Sequence, residues 1–348
     1  MRIQGGYNRR FNIPRGLPAT SMRDAERQTR SHLMALFQRQ GLYPRGDLGQ
    51  NFLIDLNLLE LVVREAELSP ADVVLEVGPG TGSLTTYLGA VAGQVVSVEY
   101  DPNMYAFALD ATSHYTNVTL LNCDALRNKN HLATQVLEAL DVALQKVREA
   151  TSADPVIKLV ANLPYHVGTP IISNLMATGL PWGRMVVTIQ WELGLRMLAK
   201  PGTSDYSALT VWMQSQADLK TVRKLPPTVF WPQPKVDSAI VRIDPAPERQ
   251  AKIVDREFLH TFLRDIFTQR RKRLAGAIAS MYRDSWSRVE IDAALAACSI
   301  AADARAEQLA PPQLVELSNR LAASRPASAR AVVGEPTAEL ETDSNDQL

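Results

Sequence analysis

The 348-residue chain carries 37 Lys and Arg against 37 Asp and Glu, and 46% of its residues are hydrophobic, which excludes a mostly disordered polymer. At about 150 residues per domain this length gives two domains, and no apolar run approaches the ~20 residues that span a bilayer. The two cysteines, Cys123 and Cys298, exclude a disulfide scaffold and a multi-cysteine metal site. They fit a reducing compartment, and with no secretory-type opening the expected location is the cytoplasm.

The neutral total hides an uneven distribution. Residues 1–45 hold nine Arg against two acids, a net of +7. This arm reads as a phosphate-binding segment, a solvated extension or a transit peptide; the helical look of 24–40, with Leu33, Leu36 and Phe37 on one stripe, weighs against the last. From Asp72 onward, short apolar runs alternate with helical stretches. Strands are predicted at 73–77, 94–99, 118–121, 156–161 and 185–189, and helices at 83–88, 104–113, 130–150 and 169–178. This alternation predicts an α/β, doubly wound parallel sheet covered on both faces. A late strand follows at 236–243, then a Pro-Ala-Pro boundary, and from Arg256 to about Arg320 the pattern is helical throughout. The predicted organisation is a basic extension (1–46), an α/β domain (47–246), a smaller all-α domain (247–323) that leans on the first, and an acidic tail (324–348) read as disordered. The tail's last 23 residues have a net charge of −4. No further apolar face stands out, so a monomer is expected.

The chemistry-bearing motifs sit at predicted strand ends. Gly78-Pro79-Gly80-Thr81-Gly82 joins the first strand to the first helix, where glycines permit a tight turn and close ligand approach. The G-x-G-x-G spacing is neither a dinucleotide fingerprint nor a Walker loop. Glu99 ends the second strand, where a carboxylate accepts from ribose hydroxyls, or is a solvated strand-end acid. Asp124 ends the third, within reach of an adenine edge, or caps a turn. Together they form the pattern of S-adenosylmethionine-binding folds. Asn162-Leu163-Pro164-Tyr165 closes the fourth strand. An exocyclic adenine amine is a poor nucleophile, and acceptors aimed at its two N–H groups favour the pyramidal geometry of attack. The Asn162 side-chain oxygen and a carbonyl beside Pro164 can supply them, and Tyr165 can stack on an extruded base. Such chemistry rests on positioning and needs neither a metal nor a strong base, so His166 reads as a positioning residue. The other reading of this tetrapeptide is a strand-ending turn with a packed aromatic. Cys123 reads as a small buried apolar residue.

These motifs, with four others in order, resemble the small-subunit ribosomal RNA adenine N6,N6-dimethyltransferases, the KsgA family. The others are Leu48-Gly49-Gln50-Asn51-Phe52-Leu53, the Phe230 to Ser238 aromatic–proline stretch, the basic run after Phe267, and Arg305 to Leu309 followed by Leu314. The resemblance covers about Asp47 to Leu321. It implies a Rossmann-like methyltransferase domain and a helical RNA-binding domain. It also implies transfer of four methyls from S-adenosyl-L-methionine to two adjacent adenosines near the 3′ end of 16S ribosomal RNA in the small subunit, with a role in subunit biogenesis. The implied cofactor residues are Asn51, Leu53, Gly78, Gly80, Glu99, Asp124 and Asn162. The implied catalytic residues are Asn162, Leu163, Pro164, Tyr165 and Phe230, with the base between Tyr165 and Phe230. Lys235 and a helix bearing Arg270, Arg271, Lys272 and Arg273 would meet RNA phosphates. Three departures stand out: Gln190-Trp191-Glu192 where the family has Gln-Lys-Glu, a longer stretch between Asp124 and Asn162, and a longer N-terminal lead. The alternatives are a large-subunit adenine methyltransferase of the antibiotic-resistance type and an assembly factor that binds RNA without catalysis.

Overall fold

The computed structural model describes residues 30–324, so most of the basic extension and the acidic tail lie outside the described residues. The first helix, α1 (Arg30–Gln40), buries Leu33 and Phe37. After it come β1 (Phe52–Leu53) and α2 (Leu56–Ala66), whose first turn is capped by Asp55 accepting from Asn57 N at 2.9 Å. The alternating core then runs β2 (Asp72–Val77), α3 (Ser83–Gly89), β3 (Gln94–Glu99), α4 (Pro102–Ala111) and β4 (Val118–Asn122). A hairpin of β5 (Leu126–Asn128) and β6 (His131–Leu132) precedes α5 (Thr134–Thr151). The alternation resumes with β7 (Val156–Asn162), α6 (Gly168–Ala177), β8 (Trp182–Gln190), α7 (Trp191–Met197) and α8 (Ala208–Gln214). Then follow β9 (Ala217–Leu225), β10 (Phe230–Trp231), β11 (Ser238–Pro245) and the short α9 (Pro247–Gln250). The chain ends in α10 (Arg256–Thr268), α11 (Leu274–Met281), α12 (Arg288–Ala297) and α13 (Pro311–Ser324).

The main sheet has seven strands in the order β4-β3-β2-β7-β8-β11-β9. The five strands from β4 to β8 are parallel, and every residue of β2 is buried, as a sheet covered on both faces requires. The sheet is mixed, not parallel throughout: β11 is antiparallel to both β8 and β9. The missed strand, β9, alternates apolar residues with exposed Asp218, Lys220 and Arg223, because it is a solvent-facing sheet edge. The predicted helix over 130–150 begins at Thr134, since residues 126–132 form the hairpin instead.

The helical region shares one hydrophobic core with the sheet. A single cluster runs from Val73 and Leu159 in the strands to Phe262, Ile278, Leu314 and Leu321 in the helices. Trp212 of α8 lies against His260 of α10 with ring centroids 4.6 Å apart, and burial holds that imidazole below its usual pKa. Tyr206 Oη donates to Leu309 O at 2.7 Å, tying the loop before α8 to the segment before α13. A helical region so attached should unfold with the sheet. Tyr206→Phe, which leaves the Leu309 carbonyl without its donor, is expected to cost about 1–2 kcal/mol. Urea titrations followed by tryptophan fluorescence and by circular dichroism should show one coincident transition in both proteins. Separate transitions would show that the helical region does not depend on the shared core.

Candidate active site

The chain builds β2, β3 and β4 outward in one direction, then returns to place β7 on the other side of β2. That reversal is the point at which open α/β sheets leave a crevice at their carboxyl ends. The glycine turn leaves β2 there, and Asn162-Leu163-Pro164-Tyr165 leaves β7 beside it. Gly78, Gly80 and Gly82 have φ of 76°, 57° and 80°. A Cβ on Gly78 would lie 3.0 Å from the Pro164 ring, and one on Gly80 would lie 2.7 Å from the Phe52 ring. Both positions combine a left-handed backbone with a neighbour that leaves no room for a side chain.

Two buried carboxylates stand behind this turn. Glu76 is 1% exposed, and its Oε2 accepts from Thr85 Oγ1 at 2.7 Å and Ser97 Oγ at 2.8 Å. Burial raises its pKa to about 7. Glu99 accepts from Gly80 N at 3.1 Å and from Asp101 N at 2.9 Å, one bond to each oxygen. Burial raises its pKa too. Each oxygen keeps a lone pair for a further donor.

The opening motif is laced to both loops. Gln50 Nε2 donates to Asp101 Oδ2 at 3.0 Å, and Asn162 Nδ2 donates to Asn51 O at 2.8 Å. Because the Asn162 amide nitrogen is held this way, its Oδ1 is the acceptor left at the wall. The Tyr165 hydroxyl pairs with Ser238 Oγ at 2.8 Å, which fixes the half-buried ring at the start of β11.

These segments enclose a cavity of about 360 Å3. Asn51, Leu53, Gly78, Gly80, Glu99, Asp124 and Asn162 all line it, with Leu163, Pro164 and Tyr165 at the same wall. Asp124 also makes the turn bond open to it in the sequence, accepting from Leu126 N at 2.8 Å. His166 lies at the rim.

Several expected residues are placed elsewhere. Phe230 is 1% exposed and belongs to a core cluster with Leu58 and Val62, not to the cavity wall. Its cross-strand partner is Leu53, while the adjacent pair, Phe52 and Trp231, stack 6.2 Å apart between centroids. Residues 269–273 form the turn between α10 and α11, not a helix. Arg270 is committed inward: its Nη1 donates to Ser204 O at 2.9 Å and Tyr206 O at 3.1 Å, and its Nε is 3.6 Å from Glu307. Arg271, Lys272, Arg273 and Lys235 are exposed, away from the cavity lining.

Several lining residues were not assigned to the site from sequence, Glu76, Leu33 and Tyr100 among them. Leu33 of α1 reaches the wall because Phe37, one turn on, packs against Phe52, Phe107 and Trp231 at centroid distances of 5.3–5.8 Å. The apolar stripe on α1 was the available signal. Tyr100, 61% exposed, follows Glu99 at the rim and carried no signal.

Among the described residues, three carboxylates, Glu76, Glu99 and Asp124, and no Lys or Arg line the cavity. An uncompensated acidic wall fits a ligand that carries positive charge, as the sulfonium and ammonium groups of S-adenosylmethionine do, and Glu99 retains acceptor capacity for ribose hydroxyls. Fold and site together define an S-adenosylmethionine-dependent methyltransferase. Solved structures of similar fold include a dimethyladenosine transferase from Plasmodium falciparum, with TM-score 0.62 and 22% identity over 78% of this chain and 97% of that one. Another is the 23S rRNA methyltransferase ErmE, with TM-score 0.54 and 26% identity over 78% of this chain and all of that one (100%). Residues 43–323 match the model of the ribosomal RNA adenine dimethylase family, and the chain belongs to that family. It is 35% identical over 294 residues to the ribosomal RNA small subunit methyltransferase A of Moorella thermoacetica, covering 84% of this chain and 98% of the relative. The corresponding protein of Lachnoclostridium phytofermentans is 37% identical over 272 residues, covering 78% of this chain and 89% of the relative.

Glu76 gives the site a pH signature. A carboxyl whose folded pKa is raised contributes stability that is full below its unfolded value and is lost as pH climbs through the folded one, here about 7. Glu76→Gln removes that ionisation. Its stability relative to wild type should therefore improve by up to about 3 kcal/mol between about pH 5 and about pH 8 in urea unfolding. A difference independent of pH would show that Glu76 does not titrate in this range.

Proposed function

We propose that this protein dimethylates N6 of two adjacent adenosines near the 3′ end of 16S ribosomal RNA, acting as a monomer on the small ribosomal subunit in the cytoplasm during subunit biogenesis. Bound S-adenosylmethionine supplies an electrophilic methyl group. The chain supplies position. Asn51, Leu53, Gly78, Gly80, Glu99 and Asp124 hold the donor in the acidic cavity. Asn162 Oδ1 and a carbonyl beside Pro164 accept from the two N–H groups of the target amine, drawing its lone pair out of conjugation with the ring. Leu163, 2% exposed and donating from its backbone nitrogen to Thr188 O at 3.1 Å, keeps this turn in register with β8. The Tyr165 ring, pinned through Ser238, offers a stacking surface for the extruded base. The nitrogen sheds its proton to solvent after transfer, so no strong base is required. Phe230 acts in this scheme from behind the wall, by supporting Leu53. Lys235, Arg271, Lys272 and Arg273 meet RNA phosphates, and Arg270 holds the loop at Ser204.

The observation that carries this reading is the Asn162 amide: the residue lines the cavity, and with its nitrogen donating to Asn51 O its Oδ1 is the acceptor it has to offer. The relatives named for the small subunit are more similar to this chain than the 23S enzyme is, which favours the small subunit over the large. Methyl transfer from labelled S-adenosylmethionine to unmethylated small subunits, with mass spectrometry of the RNA digest, should yield N6,N6-dimethyladenosine. Asn162→Ala should lower turnover by about two to three orders of magnitude, the usual cost of removing one preorganised polar contact to the reacting group, with the fold intact. Label on large-subunit RNA alone would reassign the substrate. Tight subunit binding without label would leave an assembly factor.

A further inference from the structure

The β5–β6 hairpin lies at the cavity but has no part in the scheme above. It leaves the wall directly, since Asp124, Ala125 and Leu126 are all lining residues. Beyond them Arg127, Asn128, Lys129, Asn130 and His131 are consecutively exposed. Neither Arg127 nor Lys129 has a carboxylate within ion-pair distance among the described residues, although many of the other cations there are paired.

The exposed tip is nevertheless built. Leu126 pairs with Leu132, which is 3% exposed and anchored in the main core. Ala133 N donates to Ala125 O at 2.9 Å, closing the base of the hairpin. At the tip, Asn128 Oδ1 accepts from Asn130 N at 2.9 Å and from His131 Nδ1 at 3.0 Å. Asn174, only 3% exposed in α6, reaches out with Nδ2 to Lys129 O at 3.3 Å. Since α6 is the helix that follows Asn162–Tyr165, this bond braces the basic tip against the element next in the chain after the target-base motif.

Two unpaired cations on a braced ribbon beside the catalytic wall fit an RNA sugar–phosphate backbone. Phosphate contacts fix register without reading sequence, and a base drawn out of its stack needs its flanking backbone held. The amides of Asn128 and Asn130 suit ribose hydroxyls and phosphate oxygens alike.

We propose that Arg127 and Lys129 on the β5–β6 hairpin are positioning residues that grip the RNA backbone flanking the target adenosine. The inference rests on the RNA substrate proposed above. Its test compares wild type with Arg127→Gln/Lys129→Gln and with the charge-keeping Arg127→Lys/Lys129→Arg. Affinity for unmethylated small subunits is measured across a salt series, and kcat, KM and S-adenosylmethionine affinity are measured alongside. Each lost phosphate contact lowers the slope of log affinity against log salt by about 0.7 to 0.9, so the neutral variant should lose about 1.5 from that slope. Its KM for subunits should rise roughly tenfold at low salt, with kcat and cofactor affinity unchanged. The charge-keeping variant should stay within about twofold of wild type. A neutral variant with the wild-type slope would overturn the proposal, as would a change in cofactor affinity, which would make the hairpin a wall of the cofactor cavity only. Wild-type protein that neither binds nor methylates subunits would overturn the underlying function instead.

Discussion

The parallel pairing of β2 with β7 is the constraint on which the site depends. Leu75 and Leu159 are register partners although 84 residues separate them in the chain. Once those two strands are neighbours, the turns that leave them must share one crevice, and each has to make room for the other. Gly78 has a left-handed backbone and no Cβ where the Pro164 ring passes. Gly80 does the same for Phe52, which belongs to a third segment. The bond from Asn162 to Asn51 O then ties that third segment to the end of β7. The glycine turn, the Asn162–Tyr165 turn and the covering segment are thus one packed junction, and a side chain added at either glycine would disturb all three.

The electrostatics of this junction follow from its burial. Two glutamates on adjacent strands face inward, with no Lys or Arg among the described residues of the cavity wall. They are tolerated because hydroxyls and backbone N–H groups donate to them: Thr85 and Ser97 to Glu76, Gly80 and Asp101 to Glu99. Desolvation still drives both pKa values up, so the protein stores an unfavourable charge that a cationic ligand relieves. The same acidic interior disfavours RNA phosphate inside the cavity. It leaves a neutral base as the part of the RNA suited to enter.

Much of this was legible in the sequence because the motifs lie at strand ends, and buried parallel strands read as unbroken apolar runs. β2, β3, β4 and β7 were found within a residue or two of their bounds, and the cofactor-side residues gather at one cavity. What escaped has physical reasons. β9 is an edge strand whose outward residues are charged, so it shows no continuous apolar run. The two strands of the β5–β6 hairpin are too short to show a period, and the helix predicted over 130–150 absorbed the second of them. Phe230 sits in a motif that implies base contact, but a two-stranded ribbon alternates its faces. The face that carries Leu53 and Phe230 packs into the core, which no linear motif reveals. Arg270 is the converse error: four consecutive cations invite one role, and only the tertiary structure shows the first of them holding the Ser204 and Tyr206 carbonyls.

That internal use of Arg270 says something about how the two regions work together. The loop it holds leads into α8, and α8 packs on α10 through Trp212 and His260. Glu307, its ion-pair partner, lies in the segment that also receives the Tyr206 hydroxyl at Leu309. One guanidinium therefore joins the loop before α8 to the turn that exposes Arg271, Lys272 and Arg273. The turn that carries those three cations is consequently tied to the sheet and, through it, to the cavity. In the proposed function, phosphate contacts made from a fixed turn give register as well as affinity, because RNA can satisfy them in few orientations. For a site whose chemistry rests on placing one weakly nucleophilic nitrogen, that rigidity matters more than the number of positive charges.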